Sequence, residues 1–125
     1  PNTFICRVLS CKTQEVVCGV TTNDVKFTLP AYNGCAVGDV LEVKLDPNKI
    51  RFLPESGTKP VANLFHGEVL SIARQNGKVR YLVDMGGKIS VTSSYGEYQD
   101  APVPLGQTRL IHLPFEAISF TKISE

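Results

Sequence analysis

The chain has 125 residues, and its 13 Lys+Arg nearly cancel its 12 Asp+Glu, leaving a formal charge of +1. At 42% hydrophobic it can bury a core, yet no apolar run approaches the length of a membrane-spanning helix. The basic residues divide 7 and 6 between residues 1–60 and 61–125, against 6 acids in each part, so no basic stripe marks a nucleic-acid surface.

The dominant period along the chain is two. Phe4–Leu9, Val16–Val20 and Val25–Leu29 read as strands in the first third, followed by Val40–Leu45 and Ile50–Leu53. Each is short and rich in β-branched or alternating apolar residues, and each is bounded by Gly, Asn, Asp or Pro. Thr22-Asn23-Asp24 and Asn33-Gly34 supply turn chemistry between them. The second half repeats the style with Gly67–Ala73, Lys78–Asp84, Lys88–Thr92, Thr108–Leu113 and Ala117–Phe120. Gln75-Asn76-Gly77 is a hairpin signal, and Gly86-Gly87 reads as a tight turn between strands rather than a phosphate cradle, which needs a helix N-terminus behind it. No stretch of ten residues carries a helical period.

The strand series repeats. Arg7-Val8-Leu9-Ser10 matches Glu68-Val69-Leu70-Ser71 at an offset of 61, and Ala36-Val37-Gly38 matches Pro104-Leu105-Gly106 at an offset of 68. Counting on from those glycines, Leu45 pairs with Leu113, Ile50 with Ile118 and Phe52 with Phe120. The second copy therefore holds about seven extra residues, expected in 94–102. The expected fold is all-β: two small OB-like barrel units in tandem, at 1–53 and 63–125, joined by a Pro/Gly/Ser-containing linker at 54–62. The sequence leaves open whether the units stand as separate barrels or exchange strands.

Catalytic signatures are lacking. The sequence has no phosphate-loop, nucleophile-elbow or zinc-helix motif, and no C-x-x-C pair or ligand spacing for a metal. Cys6, Cys11, Cys18 and Cys35 are expected as free structural thiols, with Cys35 exposed but inert and a reducing compartment as the setting. His66 and His112 fall in or beside strands and read as structural. Two clusters remain. The hydroxyl run Thr92-Ser93-Ser94, with Asn63, is a candidate anion-binding set. Tyr95, Tyr98 and Phe115 are candidates for a partner interface, because aromatics of this kind suit protein contacts.

Two segments carry a resemblance. Val37–Leu53 is similar to the run of a Gly-Asp turn, a strand and an Arg-Pro-Glu-x-Ile element in the tandem TOBE domains at the C-terminus of ABC-importer ATPase subunits. Pro47, Ile50 and Arg51 match it, whereas Asp46 and Asn48 depart from the usual Arg and Glu. Asn63–Ile72 resembles the opening of the second TOBE copy, and Arg80–Gly87 and Leu113–Ile118 extend the likeness. The resemblance implies a noncatalytic regulatory and dimerisation region. It also implies a fragment of a longer cytoplasmic protein, peripheral to the membrane, as the start at Pro1 rather than Met allows. ATP and Mg would belong to an upstream domain and no cofactor to this chain. The implied partners are a second ATPase subunit and membrane permease subunits, and no nucleic acid. Molybdate-binding relatives of the same fold imply an alternative, a small oxyanion binder. Their Ser-Ala-Arg-Asn opening is here Pro60-Val61-Ala62-Asn63, and Pro114-Phe115-Glu116 stands in place of their late Lys motif. An OB-type oligonucleotide-binding module is a second alternative.

Overall fold

The computed structural model describes residues 2–57 and 59–123. Pro1, Thr58 within the expected linker, and Ser124 and Glu125 lie outside the described residues. Among the described residues, ten strands form two five-stranded antiparallel sheets. The first sheet has the order β10-β4-β1-β2-β3, with β1 Thr3–Lys12, β2 Glu15–Val20, β3 Lys26–Leu29, β4 Val40–Leu45 and β10 Ile118–Lys122. The second has the order β5-β9-β6-β7-β8, with β5 Arg51–Leu53, β6 Leu64–Gln75, β7 Lys78–Asp84, β8 Lys88–Ser94 and β9 Thr108–His112. The fold is all-β in two OB-like units, and they do exchange strands. β5 leaves the first half of the chain to pair with β9, and β10 leaves the second half to pair with β4.

Two short 3-10 turns make the crossings. Pro47–Lys49 follows β4 and Phe115–Ala117 follows β9. Pro47 has the fixed φ that opens such a turn, and the Asp46 carboxylate caps it by accepting from the Asn48 N–H at 3.0 Å. The two turns meet where the Asp46 N–H donates to the Ala117 carbonyl at 2.8 Å. Just beyond them, Ile50 and Ile118 are buried at 1% and 6% exposure, and each contributes on the order of 1.5–3 kcal/mol by leaving water.

The repeat is visible in the register. Both long hairpins carry a bulge at the same place, Val8/Ser10 and Val69/Ser71. The Val8 carbonyl accepts from the Gly38 N–H at 2.9 Å, and the Val69 carbonyl accepts from the Gly106 N–H at 2.8 Å. Gly38 and Gly106 take φ of 95° and 83°, a left-handed conformation that a side chain would strain. Much of the extra length of the second copy lies where it was expected. A six-residue helix α1, Tyr95–Asp100, occupies that place. Its shortness explains why no helical period announced it. A reciprocal capping box, Ser94 with Glu97, sets its start instead.

The cysteines divide unequally. Cys6 and Cys18 are buried and free, as expected. Their mutual hydrogen bond and their burial raise the Cys6 thiol well above the ordinary range, so it stays protonated. Cys11 and Cys35 correct the expectation of four free thiols, because they are joined by a disulfide across 6.1 Å of Cα separation. The 30–39 loop folds back along the end of β1 and brings together two residues 24 apart, a pairing that their spacing does not reveal.

Gly67 marks the tightest point of the second sheet. A Cβ there would collide with Val83 Cγ1 and Ile111 Cδ1. Gly67→Ala should therefore destabilise the fold by about 1–3 kcal/mol. A denaturant unfolding midpoint measures the effect, and an unchanged midpoint would contradict the packing described.

Candidate functional site

Strand alternation decides which polar residues meet. On β7, Val79, Tyr81 and Val83 turn inward, leaving Lys78 and Arg80 on the outer face. On β8, Ile89 and Val91 turn inward, which puts Thr92 and Ser94 outside. The ladder pairs Arg80 directly with Thr92, and Lys78 with Ser94. Arg80, Lys78 and Thr92 share a shallow cavity of about 200 Å³ with Ala73, Gln75 and Asn76. Neither cation joins a salt bridge among the described residues; Lys78 Nζ donates to Asn48 Oδ1 at 3.4 Å. A third cation, Arg74, stands nearby with its guanidinium 4.4 Å from the centroid of the Tyr95 ring. The asparagine of the adjoining turn, Asn76, has φ of 52° and Gly77 has 75°, the left-handed pair a two-residue hairpin requires.

The four anion-binding candidates are not brought together. Thr92 lies in the cationic cavity. Ser93 points to the other side, into a cavity of about 110 Å³ lined by Tyr81 and Tyr98. Ser94 caps α1, its hydroxyl accepting from the Glu97 N–H at 3.1 Å. Asn63 sits at the start of β6 with φ of 62°, and its carboxamide is used entirely by the backbone of Thr28, accepting from the N–H and donating to the carbonyl at 2.8 Å each. The cations that do stand beside Thr92, Arg80 and Lys78, were legible through parity: the alternation that places Thr92 outward on β8 places both cations outward on β7.

The aromatic candidates also separate. Tyr95 and Tyr98 stack at 6.1 Å, and Tyr98 continues to Tyr81, which meets Phe52 edge-on at 4.9 Å. Burial pushes the Tyr81 hydroxyl pKa up. Phe115 is 47% exposed and stands elsewhere, on a cleft of about 660 Å³ that also includes Tyr32, Cys11 and Cys35. His66 faces solvent beside Glu55, with 3.5 Å between their polar atoms, and His112 pairs in the β9 ladders. Among the described residues, no three His, Cys, Asp or Glu side chains gather as a metal site. No helix among them is long and apolar enough to cross a membrane.

A second polar constellation closes the other unit. Asp39 is buried and accepts from the Tyr32 hydroxyl at 2.8 Å and the Ala36 N–H at 3.0 Å. Lys122 of β10 reaches it at 3.4 Å. The Tyr32 hydroxyl foremost, then the Ala36 N–H and Lys122, hold the Asp39 carboxyl below its ordinary value, whereas burial and this carboxylate raise Tyr32.

No protein-family model matches the sequence, and no curated protein matches it. Among solved structures the fold superimposes on ModG, described as a cytoplasmic molybdate-binding protein and crystallised with molybdate bound. The TM-score is 0.75 at 12% identity, covering 95% of this chain and 94% of that one. At that identity the likeness concerns the fold alone, a tandem of OB-like units.

The Asp39 constellation makes stability pH-dependent. A carboxyl that titrates lower when folded than when unfolded leaves the unfolded chain binding more protons in acid. Its stabilisation is complete above the unfolded value, ordinarily 3.8, and is lost as pH falls through the depressed folded value. Urea midpoints followed from neutral pH into acid should fall for the native chain and fall less for Asp39→Asn. Parallel acid limbs for the two proteins would refute the assignment.

Proposed function

We propose that the chain is a noncatalytic TOBE-type domain that binds a small tetrahedral oxyanion. The observation that carries this reading is the pairing of Arg80 with Thr92 on the outer face of β7 and β8, with Lys78 in the same cavity and no acid among its lining residues. A guanidinium supplies planar, charge-assisted donors, a hydroxyl adds a neutral one, and neither cation is neutralised by a salt bridge among the described residues. The likeness to ModG, whose crystals held molybdate, supports an oxyanion as the ligand class. Tyr95 of α1 stands beside Arg74 and Lys78 at the margin of this face, and Thr92 is the contact taken from the hydroxyl run.

A second reading is the regulatory and dimerisation region of an ABC-importer ATPase subunit. It is favoured by Val37–Leu53, where the Gly38-Asp39 turn, β4 and the 3-10 turn at Pro47 follow in the order of the pattern it resembles. In that setting ATP and Mg are bound by a separate upstream domain. The partners are a second ATPase subunit and membrane permease subunits, and the place is the cytoplasmic side of the membrane. The two readings are compatible, since a regulatory domain can respond to a bound anion. The balanced charge gives an oligonucleotide-binding role no comparable support.

Calorimetric titration with molybdate, tungstate and sulfate tests the proposal. Saturable binding of at least one is expected, weakened about tenfold or more by Arg80→Ala, and less by Thr92→Val, which keeps the shape and removes the hydroxyl. Absence of binding to all three, or affinity untouched by Arg80→Ala, would overturn it.

A further inference from the structure

The disulfide lies at a joint of the fold. Cys11 is the last residue but one of β1, and Cys35 belongs to the irregular 30–39 stretch between β3 and β4. That stretch is the clasp on the exchanged strand β10. Tyr32 packs on Phe120 with ring centroids 5.0 Å apart, and Asp39 meets both Tyr32 and Lys122. Both cysteines are half-buried and line the open cleft of about 660 Å³, so a small thiol can reach the bond. The buried thiols Cys6 and Cys18 are out of reach in the core.

The second copy shows what the position demands. By the offsets of 61 and 68, Cys11 corresponds to Ile72 and Cys35 to Val103. Val103 is buried in the core and Ile72 packs against that core, so two apolar side chains stand there without a covalent bond. A cystine in the first copy therefore introduces chemistry that packing alone did not call for.

We propose that Cys11 and Cys35 form a thiol–disulfide exchange site at which a dithiol reductant releases the 30–39 clasp from β10. One thiolate of the dithiol attacks a sulfur of the bond and expels the other as thiolate, forming a mixed disulfide. The second thiolate of the reductant then closes its own disulfide and expels the remaining protein sulfur. Two electrons pass to the protein, each of its sulfurs takes up a proton, and the reductant is left oxidised. Opening the bond returns chain freedom to the loop between Cys11 and Cys35, 24 positions apart, and the clasp is then held by the Tyr32 and Asp39 side-chain contacts and by the backbone bonds of Gly38 and Asp39 to Val8. This inference is independent of the oxyanion reading.

The test treats the intact folded chain with dithiothreitol, alkylates it with iodoacetamide and follows amide hydrogen exchange by mass spectrometry. Labelling is expected at Cys11 and Cys35 and not at Cys6 or Cys18. Exchange in residues 30–39 and 118–122 should accelerate about tenfold or more, while β6 and β7 stay protected. The Cys11→Ser/Cys35→Ser variant should match the reduced protein without reductant. A Cys11→Ile/Cys35→Val variant, carrying the residues of the second copy, should be insensitive to dithiol. Resistance of the bond to reduction in the folded state, or exchange in 30–39 unchanged after reduction, would overturn the proposal. The native chain decides the matter even if a variant fails to fold.

Discussion

Two asparagine side chains hold the molecule together at the edges of its sheets. β3 and β8 each end a sheet, and each has a residue whose N–H and carbonyl face away from its partner strand. The carboxamide of Asn63 binds both groups of Thr28 on β3, and that of Asn2 binds both groups of Ser90 on β8, accepting at 2.6 Å and donating at 2.9 Å. A side-chain amide has the donor and acceptor of a peptide unit, so each asparagine acts as one residue of a further strand. Each comes from the opposite sheet and is fixed there, the Asn2 carbonyl accepting from Leu45 N–H and the Asn63 carbonyl from Leu113 N–H. The edges that would otherwise template aggregation are instead the seam between the units.

That seam and the exchanged strands express one pseudo-twofold symmetry. The 3-10 turns cross at each other, and the turn at Gly86-Gly87 lies against its counterpart, where Cβ atoms would meet Val25 and Asn23. The cores themselves have diverged. Cys6, Cys18, Leu41 and Val43 fill the first, and Gly67, Val83, Arg109 and Ile111 stand at the matching register positions in the second. The bulk lost at Gly67 is regained by Val83 and Ile111 crowding over it. Arg109, in the place of fully buried Leu41, turns a guanidinium toward Gln107 at 2.8 Å and leaves its Nε buried without a partner among the described residues. The first unit also carries a covalent clasp, the Cys11–Cys35 bond, that the second lacks.

Much of this was legible in the residues. Period-two runs located the strands, with Val40–Leu45 and Lys78–Asp84 matching to the residue, and the paired glycines located the repeat. The features that escaped are non-local. The sequence allowed strand exchange without choosing it, because β5 and β10 have the same pattern whichever sheet they join. The Cys11–Cys35 bond depends on the path of a loop. Asn63 looked like a ligand residue because its side chain is polar and free in sequence terms; the fold spends that polarity on Thr28. Arg80 was missed because the hydroxyl run was read along its own strand, not across to the neighbouring one.

The most direct test of the seam replaces Asn63 by glycine, which accepts the left-handed backbone at that position and removes the side chain with its carboxamide. Denaturant unfolding and exchange of the Thr28 amide are then read together. If the carboxamide joins the two units, stability falls by about 1–3 kcal/mol and the Thr28 N–H loses its protection. An unchanged midpoint with Thr28 still protected would contradict the account.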